Sequence, residues 1–162
     1  MRLAAALVFF WCTAAAAELP SWSGGPTPAL RLQDLEGKVH TLADYRGKVV
    51  LINFWATWCA PCRYEMPSIE KLRDALKGRP FAVLAVNLGE PEPRIRAFLQ
   101  EVPLRFPVLL DPEAQAAQAW KVKALPATFV VGPDGRVRYR YIGELDWSRD
   151  PARKAIVALL PK

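Results

Sequence analysis

The chain has 162 residues, which suggests one domain with enough length to enclose a core of its own. A composition that is 52% hydrophobic and 23% charged, without a low-complexity run, excludes a disordered or fibrous protein. The net charge of +6 is moderate and the basic residues are dispersed, without the basic–aromatic clusters that single-stranded nucleic acid needs.

The first seventeen residues differ from the rest. Arg2 supplies a positive start, Leu3 to Cys12 is an apolar run, and Ala15 to Ala17 offers small residues at the spacing a signal peptidase reads. Residues 1–17 are therefore expected to be a signal peptide, cleaved after Ala17, of an exported, periplasmic protein. Retention as a membrane anchor is the alternative, but the run falls short of the roughly 20 apolar residues of a spanning helix. Lipid attachment at Cys12 is disfavoured by the bulky Trp11 before it. Loss of Arg2 would leave 21 basic against 16 acidic residues, or +5. An exported protein would rarely meet nucleic acid.

Residues 18–28 read as a flexible lead-in. Ala29–Asp34 and Lys38–Leu42 are predicted as short strands around a Glu36–Gly37 turn. Lys48–Trp55 (KVVLINFW) is a nearly continuous apolar run, typical of a strand covered on both faces. After Cys59 the period changes. Met66, Ile69, Leu72 and Leu76 recur at three- and four-residue steps, so the spacing predicts an amphipathic helix ending near Gly78. Pro67 lies inside it, where a kink is expected. Pro80–Leu88 is the next buried strand, and a helix starts at Glu90 and runs to about Val102. Phe106–Asp111 is a short strand, with Asp111 as cap and Pro112 as first residue of the following helix. Ala127–Gly132 is a strand, Pro133-Asp134-Gly135 a turn and Arg136–Gly143 the returning strand. Asp150-Pro151 opens a last helix with Ile156, Leu159 and Leu160 on its apolar face. This order implies an α/β layer architecture with a central mixed sheet and helices on both faces. Arg136, Arg138 and Arg140 share one face of the returning strand, read as solvated, with a docking surface as the lesser alternative. His40 is read as structural or surface.

Cys59 and Cys62 are the two cysteines left once Cys12 is removed. As a staple their four-residue loop would constrain the unfolded chain little. Zinc needs four ligands, and the one histidine, His40, lies nineteen residues before Cys59, so no metal site is assigned. Two thiolates could still hold Cu(I). Cys59 falls where a buried strand gives way to a helix. Free N–H groups and the helix dipole there stabilise a thiolate. Pro61, in the first turn, costs no intrahelical bond. A Cys59 thiolate can attack an external disulfide, and Cys62 can resolve the adduct and leave a Cys59–Cys62 bridge.

The stretch NFWATWCAPCRYEMP, with VNLGE, FPVLLD and LPATFVVGPDGRV, resembles thioredoxin-like proteins, and most closely their exported TlpA/ResA/CcmG branch. The resemblance covers about residues 28 to 162 and implies a thioredoxin-like fold with an N-terminal β-hairpin extension. It implies a thiol–disulfide oxidoreductase without cofactor, acting on disulfides of exported proteins. The expected direction is reduction, for example of apocytochrome c or a copper-site protein, with re-reduction by a membrane-embedded electron donor. A monomer is expected. Pro126 matches the proline that faces the dithiol through a cis bond in such folds. Asn53 stands where thioredoxin carries a buried aspartate, so that proton route is absent. Glu65, one turn after Cys62, matches a functional glutamate of the exported branch and is expected to be partly buried and to tune or relay protons. A solvated helix carboxylate is the alternative. Trp58 is expected to shape the partner-facing surface. Two other functions compete. One is Cu(I) delivery by the cysteines, with Met66 as candidate third ligand. The other is a thiol peroxidase, suggested by FPVLLDP but opposed by WCAPC in place of a TxxC setting.

Overall fold

Seven strands form one mixed sheet in the computed structural model, which describes residues 19–162. The expected signal peptide lies outside the described residues. The strands are β1 (Arg31–Asp34), β2 (Val39–Thr41), β3 (Val49–Trp55), β4 (Phe81–Leu88), β5 (Val108–Asp111), β6 (Ala127–Val131) and β7 (Val137–Ile142). Their spatial order is β2-β1-β5-β4-β3-β6-β7. The helices are α1 (Ala60–Ala75), α2 (Glu92–Glu101), α3 (Gln115–Ala119) and α4 (Ala152–Leu159).

β3 lies inside the sheet between β4, to which it is parallel, and β6, to which it is antiparallel. All seven of its residues are buried, as an apolar, β-branched run predicts for a strand covered on both sides. Alternate side chains divide between two cores. Leu51 and Trp55 meet Met66, Ile69 and Leu72 of α1, Ile95 and Phe98 of α2 and Ile156 of α4. Val50, Ile52 and Phe54 meet Ala116 and Ala117 of α3 and Trp120 just beyond it. Trp120 packs edge-on against Phe129 of β6, with ring centroids 5.0 Å apart. Three helices thus cover one face, and α3 with the short 3-10 turn Leu42–Tyr45 covers the other.

The hairpin of β1 and β2 joins the main sheet through antiparallel pairing of β1 with β5. Asp34 builds its turn. One carboxylate oxygen accepts the N–H groups of Glu36 (3.0 Å) and Lys38 (2.9 Å), and Gly37 supplies the positive φ of 81°. The other oxygen lies 2.7 Å from Nε2 of buried His40, whose Nδ1 is 2.6 Å from the Tyr45 hydroxyl.

Several boundaries differ from the sequence expectation. α1 ends at Ala75, before the Gly78 turn. α2 begins at Glu92, with Pro91 as its cap, leaving Glu90 free for another task. Asp111 is not the N-cap of α3, which is Ala114, although its carboxylate accepts the first-turn N–H groups of Ala116 (3.1 Å) and Ala117 (2.9 Å), and Pro112 is not the first helical residue. The chain first passes through Ala114 in the left-handed region, φ 55°, and the helix starts at Gln115. The lead-in, from Leu19, lies along β7. Trp22 donates its N–H to the Arg138 carbonyl (2.8 Å), and Arg140 donates to that of Pro20 (3.1 Å). Arg140 lies over the Trp22 ring and Arg138 pairs with Asp134.

Candidate active site

β3 delivers the chain to the start of α1 through Ala56, Thr57 and Trp58. Cys59 is the N-cap of α1, and its sulfur accepts the N–H of Cys62 at 3.3 Å. The two cysteines are joined by a disulfide across a Cα separation of 5.3 Å. Pro61 occupies the second helical position, where its missing N–H is no loss. Cys59 is 4% exposed and Cys62 1%, so the outer cysteine is less open than its place at a helix start suggests. Its sulfur is turned toward the helix by the bond to Cys62. Trp58, immediately before Cys59 in the chain, is 66% exposed.

Pro126 lies just before β6, and the Leu125–Pro126 bond is cis. Phe54 pairs with Ala127 in the β3–β6 register, so Pro126 sits level with Trp55, at the end of β3 from which the cysteine loop departs.

Glu65 projects from the buried face of α1, one turn beyond Cys62, and is 1% exposed. The solvated-carboxylate alternative therefore fails. Its Oε1 accepts the indole N–H of Trp147, and its Oε2 lies 3.4 Å from Nδ2 of Asn53. That same Nδ2 donates to Thr128 Oγ1 at 2.9 Å. Burial drives the Glu65 carboxyl up from its ordinary 4.5 to about 8; the negative charge of Glu144 adds to the rise, and the Trp147 and Asn53 donors oppose it. No basic side chain forms an ion pair with it among the described residues.

A second buried carboxylate, missed by sequence reasoning, flanks the other side of the loop. Glu90, just beyond β4, accepts the Thr57 N–H (2.6 Å), the Thr57 hydroxyl (2.5 Å) and Nδ2 of Asn87 (2.9 Å). It thereby ties the segment before Cys59 to the end of the neighbouring strand. The available signal was Asn87, a polar residue inside an otherwise apolar strand. Trp147 was also missed. Its signal was a large aromatic alone among polar residues in GELDWSRD. Met66 packs within the core beside Ile69 and Leu72. No cluster of three or more potential metal-ligating His, Cys, Asp or Glu residues occurs among the described residues.

A strand–CxxC–helix junction on this mixed sheet, with a cis proline at the start of β6 level with the end of β3, defines a thioredoxin-like thiol–disulfide oxidoreductase. The chain belongs to the AhpC/TSA family, whose family model matches residues 23–140. It is 42% identical over 115 residues to the thiol-disulfide oxidoreductase ResA of Geobacillus thermodenitrificans, covering 71% of this chain and 66% of that one. Identity to ResA of Bacillus subtilis is 38% over 114 residues, covering 70% and 64%. The chain spans about two thirds of the length of these curated relatives. A Chlorobium tepidum structure assigned as a thiol:disulfide interchange protein DsbE superposes with a TM-score of 0.77 at 30% identity, covering 90% of this chain and 99% of that one.

Proposed function

We propose that the protein is an exported, periplasmic reductant of disulfides in other exported proteins, working as a monomer with Cys59 as attacking thiol and Cys62 as resolving thiol. The observation that carries this reading is the placing of Cys59 at the cap of α1 with a buried, titratable Glu65 one turn beyond Cys62 on the same helix. In the reduced protein the Cys59 thiolate, favoured by the helix N-terminus, attacks one sulfur of the substrate disulfide. The other substrate sulfur leaves as a thiolate and takes a proton. The Cys62 thiol gives its proton to the Glu65 carboxylate and attacks the Cys59 sulfur of the mixed disulfide. The second substrate sulfur leaves, also to become a thiol. Two electrons have passed from the protein dithiol to the substrate, and the Cys59–Cys62 bridge remains. A membrane-embedded dithiol donor restores the reduced form by the reverse exchange.

Trp58 offers the substrate an exposed apolar contact beside Cys59, and the segment entering β6 at Pro126 is where a substrate strand would lie. Targets of the kind expected from the resemblance are apocytochrome c and copper-site proteins. Cys62→Ala tests the assignment. It should abolish turnover and accumulate a mixed disulfide on Cys59 with an exported protein, recoverable from cells and released by a small thiol. A Cys62→Ala protein that keeps full disulfide-reducing turnover, or forms its adduct elsewhere than Cys59, would refute it.

A further inference from the structure

Trp147 lies in the connection from β7 to α4, among Glu144, Asp146, Arg149 and Asp150, yet it is fully buried. Its position is built from both main chain and ring. Ser68 of α1 donates its hydroxyl to the Glu65 carbonyl (2.8 Å) and accepts the Trp147 N–H (3.1 Å). That anchor holds the connection against the turn of α1 that carries Glu65. Tyr141 of β7 meets the indole edge-on, with centroids 6.3 Å apart. The indole N–H, which can only donate, then points at Glu65 Oε1.

The polarity of that contact decides its effect. Burial favours the protonated carboxyl, whereas an N–H donor favours the carboxylate, and a hydrogen bond to a charged oxygen is stronger than one to a neutral group. Asn53 is a weaker opponent of burial, because its amide is 3.4 Å away and shared with Thr128. The other titratable groups facing Glu65 are Cys62 from α1, Glu144 from the β7–α4 connection and, behind the indole, Tyr141 from β7. None of them is a cation, so the indole is the strongest group favouring the anion.

We propose that Trp147 is a positioning residue of the exchange reaction: its indole N–H keeps Glu65 able to accept the Cys62 proton. A phenyl ring would fill most of the same space but leave the carboxyl locked in its protonated form over the working range, with no base for the resolving thiol. The proposal rests on the proton-relay reading of Glu65 given above.

The test compares wild type, Trp147→Phe, Glu65→Gln and the double variant. One readout is the Glu65 carboxyl titration by carbon-13 NMR; the other is the pH profile of insulin-disulfide reduction. In Trp147→Phe the titration midpoint should rise by roughly one unit or more, and the rate profile should move the same way, about tenfold slower near neutral pH and converging with wild type at high pH. In the Glu65→Gln background the same substitution should leave the profile in place. A Trp147→Phe protein that only unfolds more easily, with an unmoved Glu65 titration, would overturn the role of Trp147 while leaving the relay standing. A Glu65→Gln profile identical to wild type would overturn the relay, and this role with it. Should Trp147→Phe fail to fold, the benzothiophene analogue of tryptophan at position 147 keeps the ring shape without the N–H and must give the same shift.

Discussion

Asp34 and Glu65 are both buried carboxylates with hydrogen-bonding partners, and their affinities for a proton move in opposite directions. Burial alone would raise Asp34, but contact with His40 and the backbone N–H groups of Lys38 and Glu36 outweigh it, holding it below its ordinary 3.8. Glu65 has an indole, a distant amide and no cation, so burial prevails and the carboxyl rises to about 8. The difference lies in the number of donors and in depth: Asp34 sits just beneath the surface, whereas Glu65 lies deep under the dithiol, where desolvation weighs far more. In the hairpin the carboxylate is a permanent anion that shapes a turn. Beside the dithiol it is a group that can change its protonation near neutral pH, as a proton relay requires.

Removing the titrating group should have the largest effect on this contrast. Glu65 retains its proton in the folded protein to higher pH than in the unfolded chain. Wild-type stability should therefore be full below about pH 4.5 and fall as pH rises toward about 8. Glu65→Gln should flatten that decline, making the variant more stable than wild type at the alkaline end by on the order of a few kcal/mol. Denaturant unfolding at a series of pH values measures it, and a wild-type curve already flat across this window would show that Glu65 ionises freely. An intermediate effect is expected at the hairpin. His40→Ala leaves Asp34 without its ring partner, costing about 1–3 kcal/mol, and should weaken the acid-side loss of stability that follows from a depressed carboxylate. Urea titrations at neutral and acid pH report both. The smallest effect belongs to Glu90→Gln, which keeps one acceptor for Thr57 and loses the other, about 1 kcal/mol. Faster hydrogen exchange at the Thr57 amide is its signature; unchanged protection there would remove Glu90 from the ordering of the loop.

These regions also differ in how far they could be read from sequence. The β3–Cys59–α1 junction is written in consecutive residues: an apolar run, a cap, and a helical period with Glu65 on the face of Cys62. The Glu36–Gly37 turn is equally local. What surrounds Glu65 is not. Trp147 is 82 positions away and Thr128 meets Asn53 across 75, so these contacts follow from strand order and helix packing. Glu90 illustrates a different failure. The prolines on either side of Glu92 suggest a helix start at Glu90, and that reading hides a carboxylate that instead turns back to the cysteine loop. At α3 the Asp111–Pro112 pair is a sound cap signature, displaced because Ala114 adopts a left-handed conformation that an alanine does not advertise.

The strap of residues 20–22 along β7 bears on how the molecule meets its own kind. By engaging the Arg138 carbonyl and the Arg140 amide, it occupies backbone sites that a neighbouring polypeptide would need to extend the sheet. The opposite border is β2, just three residues long, which offers little to a templating strand. Both margins are thus guarded against amyloid-like stacking, and self-association would have to proceed through side chains instead.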